Sequence, residues 1–272
     1  MCRLVADSQS HVTFDADNRC EAYYKTQNQA IMIETKHLTK KFGDFVAVED
    51  LNLSIRQGEL FSLLGLNGAG KTTTIKMLSC LTLPSSGNAK ILNKDLIKDS
   101  QHIKQRINVS PQETAIARNL NVQENLEMIA GIYGIPKNEI SHQAEEIITM
   151  FNLSELRKKK AKLLSGGMQR RLSIAMALIT DPEILFLDEP TLGLDVIARR
   201  ELWTSIRKLK GKTTIILTTH YLEEAEALSD RVAIIQKGRI KAIGTVAEIL
   251  NQTNSKKLED AFVLLNEEEH TI

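Results

Sequence analysis

Three stretches of this sequence hold residue types whose order and spacing can do chemistry. The first is "GLNGAGKTT", residues 65–73, a glycine followed, after four intervening residues, by Gly-Lys-Thr. Gly65, Gly68 and Gly70 let the chain curl, so that the backbone of Leu66, Asn67, Ala69 and Thr73 can turn N–H groups toward one phosphate. Lys71 can reach the β- and γ-phosphates, and the Thr72 hydroxyl can hold Mg²⁺. The second is "ILFLDEP", residues 184–190. Asp188 emerges at the end of an apolar run, where an acid suits the shell of a hard cation. Glu189 beside it can orient or deprotonate an attacking water. The third is "KLLSGGMQRR", residues 162–171. Ser165, Gly166 and Gly167 stand directly before a helix, a second phosphate-shaped arrangement well downstream of the first. One phosphate loop holds one nucleotide, so the second arrangement implies a second ligand or a second molecule. Standing alone, Ser165 would read as an ordinary helix N-cap.

The elements that position these residues follow from hydrophobic periodicity. "DLNLSI" (50–55) alternates as a half-buried strand, and "ELFSLLG" (59–65) reads as a buried strand feeding the phosphate loop. "KTTTIKMLSCL" follows as a helix, on which Cys80 should pack. "NVQENLEMIAGIYG" begins with Asn121 and has Glu124 three residues on, a capping box. Gly134 and Pro136 end that helix, and "KNEISHQAEEIITMF" forms the next. From residue 184 strands and helices alternate again: "ILFL", a helix near 196–209, "TIIL", "VAIIQ". The pattern predicts an α/β domain with a mainly parallel sheet, interrupted by a helical insertion at about 113–170. The helix after Ser165 should turn Met168, Leu172, Ala175 and Ile179 to one face. Leu258, Phe262 and Leu265 recur at helical spacing near the end.

Composition narrows the setting. The chain has 272 residues, 42% hydrophobic and 25% charged, enough for one large domain. Its 35 basic and 34 acidic residues leave a formal charge of +1, which speaks against a general nucleic-acid binder. Cys2, Cys20 and Cys80 form no C-x-x-C pair, so neither a disulfide framework nor a zinc site is expected. No apolar run approaches the ~18 residues of a membrane span. The first residues lack the basic-then-apolar order of a secretory signal. Residues 1–30 are aperiodic and read as a flexible extension. The run "RKKKAK" (157–162) reads as a solvated face.

"LLSGGMQ", then "LDEPTLGLD", then "TTH", in that order after a phosphate loop, strongly resembles the ATP-binding-cassette superfamily across roughly residues 31–245. The resemblance implies a P-loop NTPase (RecA-like) core with an N-terminal antiparallel β subdomain, an inserted helical subdomain, and a short helical tail over 246–272. It implies ATP and Mg²⁺ as ligands, and a head-to-tail pair in which Ser165, Gly166, Gly167 and Gln169 of one cassette close over the nucleotide of the other. It assigns Phe42 to adenine stacking, Gln112 to sensing Mg²⁺ and the γ-phosphate, Asp195 to communication across the pair, and His220 to the γ-phosphate. Glu189, His220 and Lys71 become the catalytic set, and Thr72, Gln112 and Asp188 the metal set.

Two uses of such a cycle compete. The chain resembles the ATP-binding subunits of bacterial efflux-type transporters, through "THYLEEAEALSDRVAIIQKGRIKAIGT" and "KKLEDAF". That implies separate integral membrane subunits, a second copy or homologous cassette, and a place at the cytoplasmic face of the membrane. The few residues after 245 favour export over importers with a longer C-terminal domain. The alternative is a soluble ATPase acting on nucleic acid or ribosomes. Such relatives usually carry long coiled coils, zinc clusters or tandem cassettes, and none is visible here.

Overall fold

Runs of alternating and continuous apolar residues set the strands of this computed structural model, which describes residues 30–267. β1 (Ile31–Phe42) and β2 (Phe45–Arg56) form a long hairpin that turns at Gly43, and β3 (Leu60–Leu64) leads into α1 (Lys71–Leu78). β4 (Ser86–Ile91), β5 (Lys94–Asp95), α2 (Ser100–Lys104) and β6 (Ile107–Ser110) follow. Then come α3 (Val122–Ile132), α4 (Lys137–Met150) and α5 (Gly166–Leu178). The chain closes with β7 (Ile184–Asp188), α6 (Val196–Arg207), β8 (Thr214–Thr219), α7 (Leu222–Leu228), β9 (Arg231–Gln236), β10 (Arg239–Gly244), α8 (Val246–Thr253) and α9 (Leu258–Glu267).

Among the described residues the strands make two sheets. One has the order β2-β1-β4-β5 and is antiparallel. The other has the order β10-β9-β3-β8-β7-β6, parallel throughout except for the β9–β10 edge pair. This is the mainly parallel α/β core that the periodicity predicts, with the antiparallel companion that the resemblance implies. The second sheet is buried on both faces, and its strands alternate between two cores. Phe61, Leu63, Ile184, Phe186 and Ile216 face a cluster shared with α1 and the antiparallel sheet. Leu60, Leu185, Leu187, Ile215 and Leu217 face a cluster shared with α3, α4, α5 and α6.

The capping box at Asn121 is formed: its side chain accepts the Glu124 N–H at 2.9 Å, and Glu124 accepts the Asn121 N–H at 2.7 Å. Lys158, Lys159 and Lys160 are exposed, although Ala161 is buried and its N–H donates to the Leu120 carbonyl at 2.8 Å. Two expectations change. The helix after the phosphate loop stops at Leu78, and Cys80 lies beyond it with a φ of 58°. α5 buries every residue from Arg170 to Leu178 rather than one face, because the sheet and the α3–α4 block cover opposite sides of it. The strands β4, β5, β6 and β10 and the short helix α2 fall where sequence periodicity gives no signal. Cys2, Cys20, most of the N-terminal extension and residues 268–272 lie outside the described residues.

Candidate active site

The loop between β3 and α1 is shaped by contacts only glycine permits. A Cβ on Gly65 would stand 2.4 Å from the Ile235 carbonyl oxygen. Gly70 has a φ of 103°, and a Cβ there would stand 2.5 Å from the Ala47 carbonyl oxygen. The loop is therefore wedged between β2 and the β9–β10 turn, and the Gly238 N–H donates to the Ala69 carbonyl at 2.9 Å. Gly70 caps α1 without any side-chain hydrogen bond. The first-turn N–H groups of that helix thus meet no protein cap, the arrangement that receives a phosphate.

The charged groups converge at the C-terminal ends of β7 and β8, where ligands bind in open α/β sheets. The Lys71 ammonium donates to the carbonyls of Gly65 at 2.8 Å and Leu66 at 3.1 Å, and lies 3.1 Å from Glu189 Oε1. The other Glu189 oxygen is 2.6 Å from His220 Nδ1. Asp188 Oδ1 accepts from the hydroxyls of Thr218 at 2.6 Å and Thr72 at 3.1 Å. Lys71, Asp188 and Glu189 are all buried, so the charges act in a low-dielectric setting. Glu189 has a φ of 48°, the left-handed region, and its N–H donates to Thr218 Oγ1 at 3.0 Å. An all-oxygen set on Thr72 and Asp188 suits Mg²⁺, and the glycine-walled cradle above α1 suits a phosphate chain.

A cleft of about 380 Å³ opens over this cluster. Asn67, Gly68, Gly70, Lys71, Thr72 and Thr73 form its floor, and Gln112, Glu189, Leu192 and His220 its far wall. Leu66 and Ala69 turn to the opposite side of the loop, toward Gln236 and Asn266. The aromatic wall is Phe45, not Phe42. Phe42 is the cross-strand partner of Phe45, is 53% exposed, and carries the Lys40 ammonium 4.8 Å from its ring centre. The resemblance assigns the base to Phe42, whereas the cleft is lined by its hairpin neighbour Phe45.

Ser165, Gly166, Gly167 and Gln169 line no part of this cleft. Ser165 caps α5, its hydroxyl accepting the Met168 N–H at 3.3 Å, and both Ser165 and Gly166 are exposed. Gln169 donates to the Leu164 carbonyl at 3.0 Å. Gly167 is pressed against α6, where a Cβ would meet Ala198 Cβ at 2.9 Å. Asp195 caps α6, accepting from the N–H groups of Ile197 and Ala198, both at 2.9 Å. Three further residues shape the site without a sequence signal that singled them out. They are Thr218 on β8, Glu224 on α7 and Arg170 on α5, all three buried.

The sequence family described as ABC transporter matches residues 48–192. The chain belongs to that family. The cassette is 38% identical over 221 residues to the daunorubicin resistance ATP-binding protein DrrA3 of Streptomyces coeruleorubidus, covering 81% of this chain and 70% of that one. It is 40% identical over 227 residues to the daunorubicin/doxorubicin resistance ATP-binding protein DrrA of Streptomyces peucetius, covering 83% and 69%. With the probable multidrug ABC transporter ATP-binding protein YbhF of Escherichia coli it shares 38% identity, spanning 86% of this chain but 41% of that protein. Among solved structures it is similar to an ATP-binding subunit of an ABC transporter, with a TM-score of 0.77 and 30% identity, covering 86% of this chain and 99% of that one. A dimeric, post-hydrolysis ATP-binding cassette bound to ADP and Pi matches with a TM-score of 0.70 and 28% identity, covering 79% and 98%. The cassette is thus an ATPase with a P-loop NTPase fold. No helix among the described residues is long and apolar enough to cross a membrane.

Proposed function

We propose that this cassette hydrolyses ATP between two head-to-tail copies, or between itself and a homologous cassette, and thereby drives export through separate membrane subunits. The observation that carries the reading is the separation of its two phosphate-shaped motifs. The cleft over Lys71 and Glu189 takes no wall from Ser165, Gly166 or Gly167, whose exposed N-terminal end of α5 is left facing outward. A second molecule supplies what each cleft lacks.

In that arrangement the loop N–H groups and Lys71 bind the phosphate chain, and Phe45 or Phe42 packs on the base. Thr72 and Asp188, with Gln112 on the cleft wall, would hold Mg²⁺, which when bound offsets charge on the β- and γ-phosphate oxygens. Glu189 orients water for in-line attack and accepts its proton, and His220, 2.6 Å away, holds that carboxylate and reaches the γ-phosphate. Lys71 and the second copy's Ser165 and α5 dipole offset the charge that develops. The γ-phosphate joins the two copies, so its loss lets them part. Relatives named for daunorubicin and multidrug resistance support an amphipathic organic cargo, carried by membrane subunits that this chain meets on the cytoplasmic side. Its near-zero net charge favours this over a nucleic-acid partner.

Two experiments test the reading. Glu189→Gln should bind ATP without turnover and double the scattering mass; a monomer at saturating ATP refutes the head-to-tail pair. Purification of the tagged chain from detergent-solubilised native membranes should bring down a polytopic protein at near-equal stoichiometry. Repeated recovery of soluble proteins or nucleic acid alone would refute transport and leave the ATPase.

A further inference from the structure

Arg170 is 4% exposed, and among the described residues its guanidinium donates only to backbone carbonyls. Nε donates to Pro190 at 2.9 Å and Nη2 to Asp188 at 2.8 Å. Nη1 donates to Pro111 and, at 3.3 Å, to Gln112. The Asp188 and Pro190 carbonyls stand on either side of Glu189, whose left-handed φ of 48° is costly for a residue with a side chain. The Pro111 and Gln112 carbonyls belong to the loop that brings Gln112 to the cleft wall. One planar fork therefore fixes the strand end around the water-orienting carboxylate and the loop of the proposed metal-sensing amide. Arg171, its neighbour on α5, points the other way: it donates to the Phe151 carbonyl at 3.4 Å and pairs with Glu201 on α6 at 3.0 Å.

We propose that Arg170 is a positioning residue for hydrolysis: it holds Glu189 and Gln112 in register with each other and with α5, whose N-terminus carries Ser165. The inference rests on the roles given to Glu189 and Gln112 above. A guanidinium is suited to this task because its five donors lie in one plane and survive burial as a charge. Here burial draws its pKa down to about 10, against the pull of Asp188 and Glu224, and it still stays charged at neutral pH. The arrangement makes α5 a shared mount. A displacement of that helix, from the Ser165 end or through the Phe151 and α6 contacts of Arg171, reaches both cleft groups at once. The chain thereby couples its two phosphate-shaped motifs although they belong to different nucleotides.

The test compares wild type with Arg170→Lys and Arg170→Gln in the full chain. It measures steady-state turnover against ATP and against Mg²⁺, with the affinity for a fluorescent ATP analogue in EDTA. Lysine keeps the charge but not the planar fork, so kcat should fall by about ten-fold or more. KM and analogue affinity should stay within about three-fold, because the loop and Lys71 are untouched, while the Mg²⁺ half-saturation rises. A merely structural arginine would instead lower the folded fraction and leave kcat per folded molecule and the Mg²⁺ dependence unchanged. Turnover within about two-fold of wild type, or failure of both variants to fold, overturns the proposal. Glu189→Gln in the same assay separates the two levels: if it keeps turnover, the reading of the cleft fails. If it is inactive while Arg170→Lys is not, this inference alone fails.

Discussion

Replacing Thr218 with valine keeps the shape of a fully buried side chain and removes one hydroxyl. That hydroxyl donates to Asp188 Oδ1 at 2.6 Å and accepts the Glu189 N–H at 3.0 Å. A hydrogen bond to a buried charged group contributes about 1.5–3 kcal/mol. The Glu189 N–H also meets the Thr218 carbonyl at 3.2 Å, so its loss adds little. The sum is about 2–3 kcal/mol of stability, a fall in Tm of about 4–12 °C for a domain of this size. Thermal unfolding in EDTA, followed by circular dichroism, reads the effect directly. Thr218→Ser restores the donor and should recover most of it. Excess Mg²⁺ should narrow the gap between Thr218→Val and wild type, because a cation on Asp188 replaces the missing donor. A Tm within about 2 °C of wild type in EDTA would refute the reasoning that this hydroxyl holds the carboxylate.

Glu224 accepts the Trp203 indole N–H at 3.0 Å, and burial pushes its carboxyl above the ordinary range, against the pull of the neighbouring Thr219, Trp203 and Thr191 side chains. A raised folded pKa adds stability that is full below the unfolded value near 4.5 and is lost as pH rises through the folded value. Glu224→Gln should therefore unfold at a higher temperature than wild type at about pH 8 and show no advantage at about pH 4. The emission of Trp203, the chain's one tryptophan, follows the transition, and an equal shift at both pH values would refute it. Gly70→Ala places a Cβ 2.5 Å from the Ala47 carbonyl oxygen at a φ of 103°, and should cost about 1–3 kcal/mol in backbone strain alone, with weaker ATP binding. Gly166→Ala, with open space around the new Cβ, should leave Tm unchanged or higher; equal losses for both would refute the loop geometry.

What the sequence made legible was the chemistry that sits on regular elements. The β3–loop–α1 unit and the Asp188–Glu189 step at the end of β7 were visible because apolar runs and glycine spacing leave few alternatives. The capping box at Asn121 announced α3 because two side chains name the same end. β4 and β6 carry polar residues at half their positions and owe their place to neighbours that pair with them. Phe45 was missed because which of two hairpin aromatics faces the cleft depends on the register of β1 against β2. Arg170 was missed because a basic residue on a helix ordinarily reads as a solvated one. Only the crossing of α5 under the ends of β6 and β7 supplies its carbonyls.

The two-core alternation of the central sheet has a consequence for the chemistry. On β7, Phe186 faces the α1 side and Leu187 the helical side. The same phase carries Asp188 to the α1 side, onto Thr72, before the left-handed turn at Glu189 breaks it. A slip of one residue would exchange the contents of both cores as surely as it displaced the carboxylates. The apolar residues therefore index the cleft's carboxylates: a chain that has packed its interior has also, by counting, set Asp188 against the Thr72 hydroxyl that meets it.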